Sequence, residues 1–432
     1  MRTSFRSVFL LAWLSARILT ITPISLLFSA EKDSLSNGLV VIYEHNDSSP
    51  TTFLQLLIRG GKSAEPEGKK GLSFLTTRLA VEIPDSSKAQ ELLRLASSFS
   101  VSSRGDYSLI NIECLTEGLE ATLRILARVI ASPLFSGMRV DSIKKYMAHQ
   151  AKVESDDSLV IGHLAALASY FGEVGYGWSS YGDEKSLAEI RNRDVADFYR
   201  KSFTASNVVI SVSSDQKKET LMGVIEKAFG SLPSGKPMPP APVALRYPEK
   251  KDLYIPKETK QHLVCLAFGL AEIEPRRYAM NELIGNFLGK GSGSKLWPLR
   301  SEAKLAYNVN CRVTQMQKGG ILEAYLETDG TKKDQAIYSL REVLNRVNKE
   351  GMSMEEFEAS KAATKTNFLR DNELKDQRMA TLGSFEMLGL GFDYMAKFPC
   401  LVDSLTLEEV NAYFRATLDL ERALLIVVGP AN

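Results

Sequence analysis

Histidine is scarce in this chain: His45, His149, His163 and His262 are the only four in 432 residues. No two of them sit at metal-ligand spacing. Zinc needs imidazole, thiolate or carboxylate lone pairs from several residues on facing elements, so each lone histidine reads as a surface or satisfied structural residue. Cysteine is equally sparse, four in all, and no C-x-x-C pair occurs. Cys114, Cys265 and Cys311 lie in strand-like apolar segments and read as small buried hydrophobes. An export signal would permit disulfides involving these or Cys400, but sequence does not pair them. Neither sign of charge dominates: 53 basic and 52 acidic residues leave a net charge of +1. With no basic run and no aromatic-basic interleaving, nucleic acid and anionic surfaces are not expected partners. No Ser-His-Asp or Cys-His nucleophile pattern is present. The loop GKGSGSK from Gly289 fails both phosphate-cradle templates, because Gly289-Lys290 is followed by Gly291 and the loop follows a helix.

What is present is ordinary globular composition, 44% hydrophobic and 24% charged, with chain enough for two or more domains. The first 30 residues differ. Arg2 and Arg6 precede an apolar run from Val8 to Trp13, a second run extends from Arg17 to Phe28, and no acid precedes Glu31. This reads as a secretory signal with a poor small-residue cleavage site near Ser29-Ala30, which implies export to the periplasm. An uncleaved membrane anchor facing the periplasm is the main competitor, and an Arg-rich mitochondrial presequence a third option.

Along the chain, Leu39–Glu44, Thr52–Arg59, Tyr107–Cys114 and Val208–Val212 read as strands. Gly71–Ala80, Ala89–Phe99, Leu119–Ala131 and Val140–Val153 read as helices. Prolines 233, 237, 239, 240, 242 and 248 then crowd a short polar stretch, which forbids regular structure and marks a boundary. Beyond it the pattern restarts. DVADFYRKSFTASNVVISV from Asp194 matches EVNAYFRATLDLERALLIV from Glu409, pairing Val195 with Val410 and Arg200 with Arg415. Gly60 with Glu65-Pro66 is answered by Gly269 with Glu274-Pro275. The division expected is therefore residues 1–30 as signal or anchor, domain 31–232, linker 233–250, and domain 251–432. The fold class expected is α+β: two related domains, each an antiparallel-rich sheet packed with helices.

The stretch from Gly289 to Val313 joins three unlike pieces. Met280, Leu283, Ile284, Phe287 and Leu288 deliver a helix into a loop where Gly289, Gly291 and Gly293 free the backbone. Pro298 then opens a short helix carrying Arg300, and Tyr307, Val309, Cys311 and Val313 alternate as a half-buried strand. By themselves, Arg300 reads as a solvated helix residue and Tyr307 as a core aromatic.

LSNGLVVIYEHNDSSPTTFLQLLIRGGKSAEPEGKKGLSFLTTRL resembles the amino-terminal domain of the pitrilysin and insulinase family of zinc peptidases, above all its half-size, processing-peptidase-like members. The likeness covers roughly residues 35 to 430. It implies two domains that form half of a clamshell closing on an extended peptide. The family carries an inverted zinc motif, H-x-x-E-H, in which two His bind zinc and the Glu activates water. Here Phe74 stands for the first His, Thr77 for the Glu and Arg78 for the second His. The third ligand, a Glu some seventy residues on, is replaced by His149 or Gln150. Phenylalanine offers no lone pair and an arginine cation opposes a dication, so no metal and no cofactor is expected in this chain.

The second half keeps a different family pattern, close to S-S-R-L-x-x-x-L-R-x-x-x-x-L-A-Y, as GSKLWPLRSEAKLAY. In paired members one subunit holds zinc and the other supplies an Arg and a Tyr. The resemblance thus implies a non-catalytic subunit of a heterodimeric zinc metallopeptidase. Arg300 and Tyr307 would serve the catalytic site of a homologous zinc-bearing partner, and Gly289, Gly291 and Gly293 would guide the peptide. The alternatives are a scaffold of the same fold that has lost catalysis, and a peptide-binding homodimer. Membrane association through the first 30 residues stays open.

Overall fold

The computed structural model describes residues 30–172, 175–239 and 243–431. The signal or anchor reading of residues 1–30 therefore falls, Ala30 apart, outside them. Among the described residues no helix is long and apolar enough to cross a membrane.

The strands are β1 (Glu31–Ser34), β2 (Val40–His45), β3 (Thr51–Arg59), β4 (Ser98–Ser103), β5 (Tyr107–Leu115) and β6 (Val208–Ser214), then β7 (Asp252–Pro256), β8 (Gln261–Leu270), β9 (Asn308–Met316), β10 (Gly319–Asp329) and β11 (Leu424–Gly429). They form two sheets, ordered β1-β2-β6-β3-β5-β4 and β7-β11-β8-β10-β9. Apart from the added β1, the second order repeats the first. Both have one parallel pair, β2 with β6 and β7 with β11, and antiparallel pairs elsewhere. The helices repeat too: among the described residues, β1 and the final helix Lys218–Phe229 of the first half apart, each half runs two strands, two helices, two strands, five helices and a strand. The Asp194 and Glu409 matches fall on the last helix and strand of each repeat, so the duplication seen in sequence is one of topology. The fold is α+β with antiparallel-rich sheets packed by helices. Strands β6 and β11 are buried along their whole length, as interior strands covered on both faces should be.

Each sheet has its own helices on one face. Leu119–Ala131 and Lys218–Phe229 cover the first over a core that includes Leu54, Ile110 and Ile210. Pro275–Gly289, Lys333–Glu350 and Leu407–Thr417 cover the second. The opposite faces are closed reciprocally. Helix Ser158–Phe171, from the first half, packs on β8 and β11, and helix Lys375–Leu388, from the second, packs on β3 and β6. Each crossing is close at a glycine: a Cβ on Gly162 would come 2.6 Å from a Leu263 methyl and one on Gly383 2.6 Å from a Leu57 methyl, so those side chains would have to shift. The hairpin tips also meet: Asp106, between β4 and β5, accepts from the Gln317 amide at 3.0 Å, between β9 and β10. The two repeats thus interlock. Residues 233–239 and 243–250, between the sheets, carry no helix or strand.

One element differs from expectation. The helix read at Ala89–Phe99 is Ser86–Arg94, and the chain then turns into β4. Ala96 takes φ +50, and the Ala96 and Ser97 amides donate to the Leu93 and Leu92 carbonyls at 3.1 and 3.0 Å. That left-handed cap ends the helix. The alternation Phe99-Ser100-Val101-Ser102 belongs to a strand that helical spacing had absorbed.

Candidate functional site

Helix Leu72–Ala80 is the one that would carry a metal. Its start is fixed from below by Glu65, which accepts from the Gly71 amide at 3.0 Å, the Ser73 amide at 2.9 Å, the Ser73 hydroxyl at 2.6 Å and Trp178 Nε1 at 2.8 Å. Burial raises the Glu65 carboxyl from 4.5 to about 7 against the pull of those donors. Beside it, burial lowers the Lys62 ammonium to about 8, and its Nζ donates to the Trp178 carbonyl.

The positions that should hold zinc do something else. Phe74 is buried, its ring 4.9 Å edge-on to Tyr181 and 6.4 Å from Tyr146, which lies on helix Gly137–Glu154. Three aromatic rings thus meet beside the two helices, with Phe74 buried and Tyr146 46% exposed. Thr77 is buried, and its hydroxyl donates back to the Ser73 carbonyl at 2.8 Å, while Arg78 is half-buried. His149 stands exposed on its helix and Gln150 half-buried. Among the described residues no three His, Cys, Asp or Glu side chains gather to hold a metal. The residues present do not fit zinc: one offers no donor, one is a cation, and the hydroxyl is committed to its own helix.

Between the repeats lies a cavity of about 1020 Å³. Its floor is the polar face of the first sheet, where Gln55 donates to Asn111 at 2.8 Å and Asn111 to Ser100 at 3.1 Å. Its walls come from the two exchanged helices and the end of β9. β4, an edge strand paired only with β5, borders it. An open edge with unpaired amides and carbonyls is where an extended peptide can add as a further strand. The missed strand is therefore part of this cavity's border. His163 also lines it and meets Glu323 at 2.7 Å. Arg312 reaches the same carboxylate at 2.8 and 3.0 Å. Burial would raise Glu323, but the His163 and Arg312 bonds outweigh it and hold the carboxyl below its usual range. His163 is thus a satisfied residue, as its isolation in sequence suggested. His262 is not: it is buried, and neither ring nitrogen has a hydrogen-bond partner.

The Arg and Tyr lie away from both places, and neither lines the cavity. Arg300 is on the short helix Pro298–Ser301, exposed, with its guanidinium 4.9 Å over the Trp297 ring. Tyr307, immediately before β9, is 75% exposed, so the core-aromatic reading fails. The glycines divide. Gly289 ends helix Pro275–Gly289 and is buried, and a Cβ there would come 1.9 Å from the Cys311 amide. Its demand is close packing, whereas Gly291 takes φ +93 and both it and Gly293 face open space. Cys114, Cys265 and Cys311 are buried and Cys400 is exposed, all four as free thiols.

The family model described as Insulinase (Peptidase family M16) matches residues 40–176, and the one described as Peptidase M16 inactive domain matches residues 189–364. Among curated proteins, the Non-peptidase homolog YmxG of Helicobacter pylori is 22% identical over 396 residues, covering 90% of this chain and 91% of its own length. The Uncharacterized zinc protease YmxG of Bacillus subtilis is 23% identical over 404 residues, covering 92% and 97%. The solved peptidase M16 inactive domain from Pseudomonas fluorescens has a TM-score of 0.85 at 22% identity, covering 93% of this chain and 98% of that one. That likeness shows a shared fold.

Proposed function

Since the chain belongs to the M16, or insulinase, peptidase family and lacks its zinc motif, we propose that it is the non-catalytic subunit of a heterodimeric zinc peptidase. The observation that carries this reading is a contrast. The metal helix is sealed by Phe74, Tyr146 and Tyr181, while Arg300 and Tyr307 stand exposed and outside the chain's own cavity. Groups so placed suit an external site. In the partner, zinc would supply the activated water. From this chain, the Tyr307 phenol would donate to the oxyanion as it develops, and the Arg300 guanidinium would hold a substrate carbonyl. Gly291 and Gly293 would leave the approach open. Gly289 supports the fold and has no guiding role in this reading. Export to the periplasm, soluble or anchored, is part of the same proposal.

A second reading, a catalytically silent peptide-binding or scaffold protein, is favoured by the cavity itself, with its unpaired β4 edge. Native pull-down of the chain from its own cells separates the two. The subunit reading expects a zinc-containing homologue and chelator-sensitive peptide hydrolysis. Tyr307→Phe and Arg300→Ala should each cut that hydrolysis while assembly and zinc content are kept. Unchanged turnover in both variants, or recovery of the chain without hydrolysis, would leave the scaffold reading.

A further inference from the structure

The repeat gives the sealed helix a counterpart. Counted from the shared Gly-x-x-x-x-Glu-Pro, Thr77 and Asn286 fall at the same distance. Helices Leu72–Ala80 and Gly137–Glu154 of the first half correspond in order to Pro275–Gly289 and Met354–Arg370 of the second. Between the latter two lies a pocket of about 150 Å³, closed by Thr381 and Phe398. It differs in chemistry from its counterpart. Tyr278, Phe368 and Phe398 form an aromatic wall, and the remaining lining is polar.

The polar lining is unbalanced. The amide nitrogens of Asn286, Asn367 and Asn372 each spend one N–H within the protein, on the Glu282 carbonyl, Asn286 Oδ1 and the Phe368 carbonyl. Two lining oxygens, by contrast, receive nothing. Asn372 Oδ1 and Thr364 Oγ1 have no partner, in residues only 4% and 2% exposed. The Glu282 carboxylate receives Gln315 Nε2 at 3.1 Å, and the Lys290 ammonium stands off at 3.7 Å. Burial pushes the Glu282 carboxyl above its usual range against the pull of Lys290 and Gln315. Asp371 at the rim ends helix Met354–Arg370, whose terminal carbonyls add negative potential. Asp371 is itself matched by Arg370 at 3.6 Å.

We propose that this pocket binds a primary ammonium group, which would donate to Glu282, Asn372 Oδ1 and Thr364 Oγ1 beside the aromatic wall. Three N–H donors, one positive charge and a short alkyl stem match three acceptors, one carboxylate and ring faces. A hard divalent metal is a poorer match, because no three carboxylates or imidazoles converge among the described residues. The pocket adjoins the large cavity: Thr381 lines both, and Gln315, which bonds Glu282, lines the cavity. The ammonium could therefore come from a free amine or from a lysine of a peptide in the cavity. Only the second source rests on the peptide reading above.

Titration calorimetry of the full chain with butylammonium chloride is the test, with n-butanol and calcium chloride as controls. Saturable binding of one butylammonium is expected, with none for n-butanol. Glu282→Gln should weaken it at least tenfold, about 1.4 kcal/mol. Thr364→Val provides a second variant, also weakened, should Glu282→Gln unfold. A lysine-containing peptide that displaces butylammonium better than its norleucine form names the peptide source. Amine binding without that difference names a free amine and bears against the peptide reading alone. Absence of saturable binding at tens of millimolar, equal binding by both variants, or calcium binding in place of the amine would overturn the proposal.

Discussion

The two helix pairs related by the repeat have met the same problem differently. Beside Leu72–Ala80 and Gly137–Glu154 the rings of Phe74, Tyr146 and Tyr181 meet. Between Pro275–Gly289 and Met354–Arg370 the space stays open and is lined by Glu282, Thr364 and Asn372. One scaffold, folded twice, carries a closed apolar joint and an open polar one. The lesson is that a helix without metal ligands must still bury one face. Aromatic side chains cover most of it here, while Thr76 Oγ1 stays buried without a partner.

The largest expected effects come from breaking the closed joint. Phe74→Ala removes a buried ring held between two others and should cost about 3–5 kcal/mol, read by urea denaturation. A loss below about 1 kcal/mol would mean that the joint is not packed as described.

Glu65, beneath the same helix, should come next. Glu65→Ala strands the Gly71 and Ser73 amides and Trp178 Nε1, at about 3 kcal/mol for breaking a buried hydrogen-bonded network. Its pH signature has a definite sign. Its carboxyl is raised in the fold from 4.5 to about 7, so the fold favours the protonated form. Its contribution is then fully present below about pH 4.5 and declines as pH rises through 7. The stability difference between wild type and Glu65→Ala should therefore shrink across that window. A difference that grows with pH would contradict the assignment.

The smallest effect belongs to the open joint. Thr364→Val replaces a buried hydroxyl without a partner by an isosteric methyl. Without ligand it should leave stability unchanged or raise it by up to about 1 kcal/mol. A loss as large as that from Phe74→Ala would erase the contrast.

Much of this was legible in sequence, and the parts that were not share a cause. The repeat could be read because Val195 with Val410 and Arg200 with Arg415 keep both type and spacing. The ruined zinc motif could be read because Phe74 and Arg78 are the wrong chemistry for any metal. β4 was hidden because its serines and phenylalanine fit a helical period until Ala96 turns left-handed. The pairing of His163 with Glu323 joins residues 160 positions apart, and no local pattern records it. Nor does any pattern show that a helix from each half closes the sheet of the other, with Gly162 and Gly383 at the close contacts. Tyr307 was misread from its apolar neighbours, since it precedes β9 and is not part of its alternation. The open pocket draws on four helices, which only the folded chain brings together.

The claim on which the account turns is that this chain holds no zinc. The direct measurement is the zinc content of the purified full chain after equilibration with the ion, followed by chelator titration. The account predicts no stoichiometric zinc, unchanged by His149→Ala. One tightly held equivalent, removed by chelator and lost in His149→Ala, would contradict it.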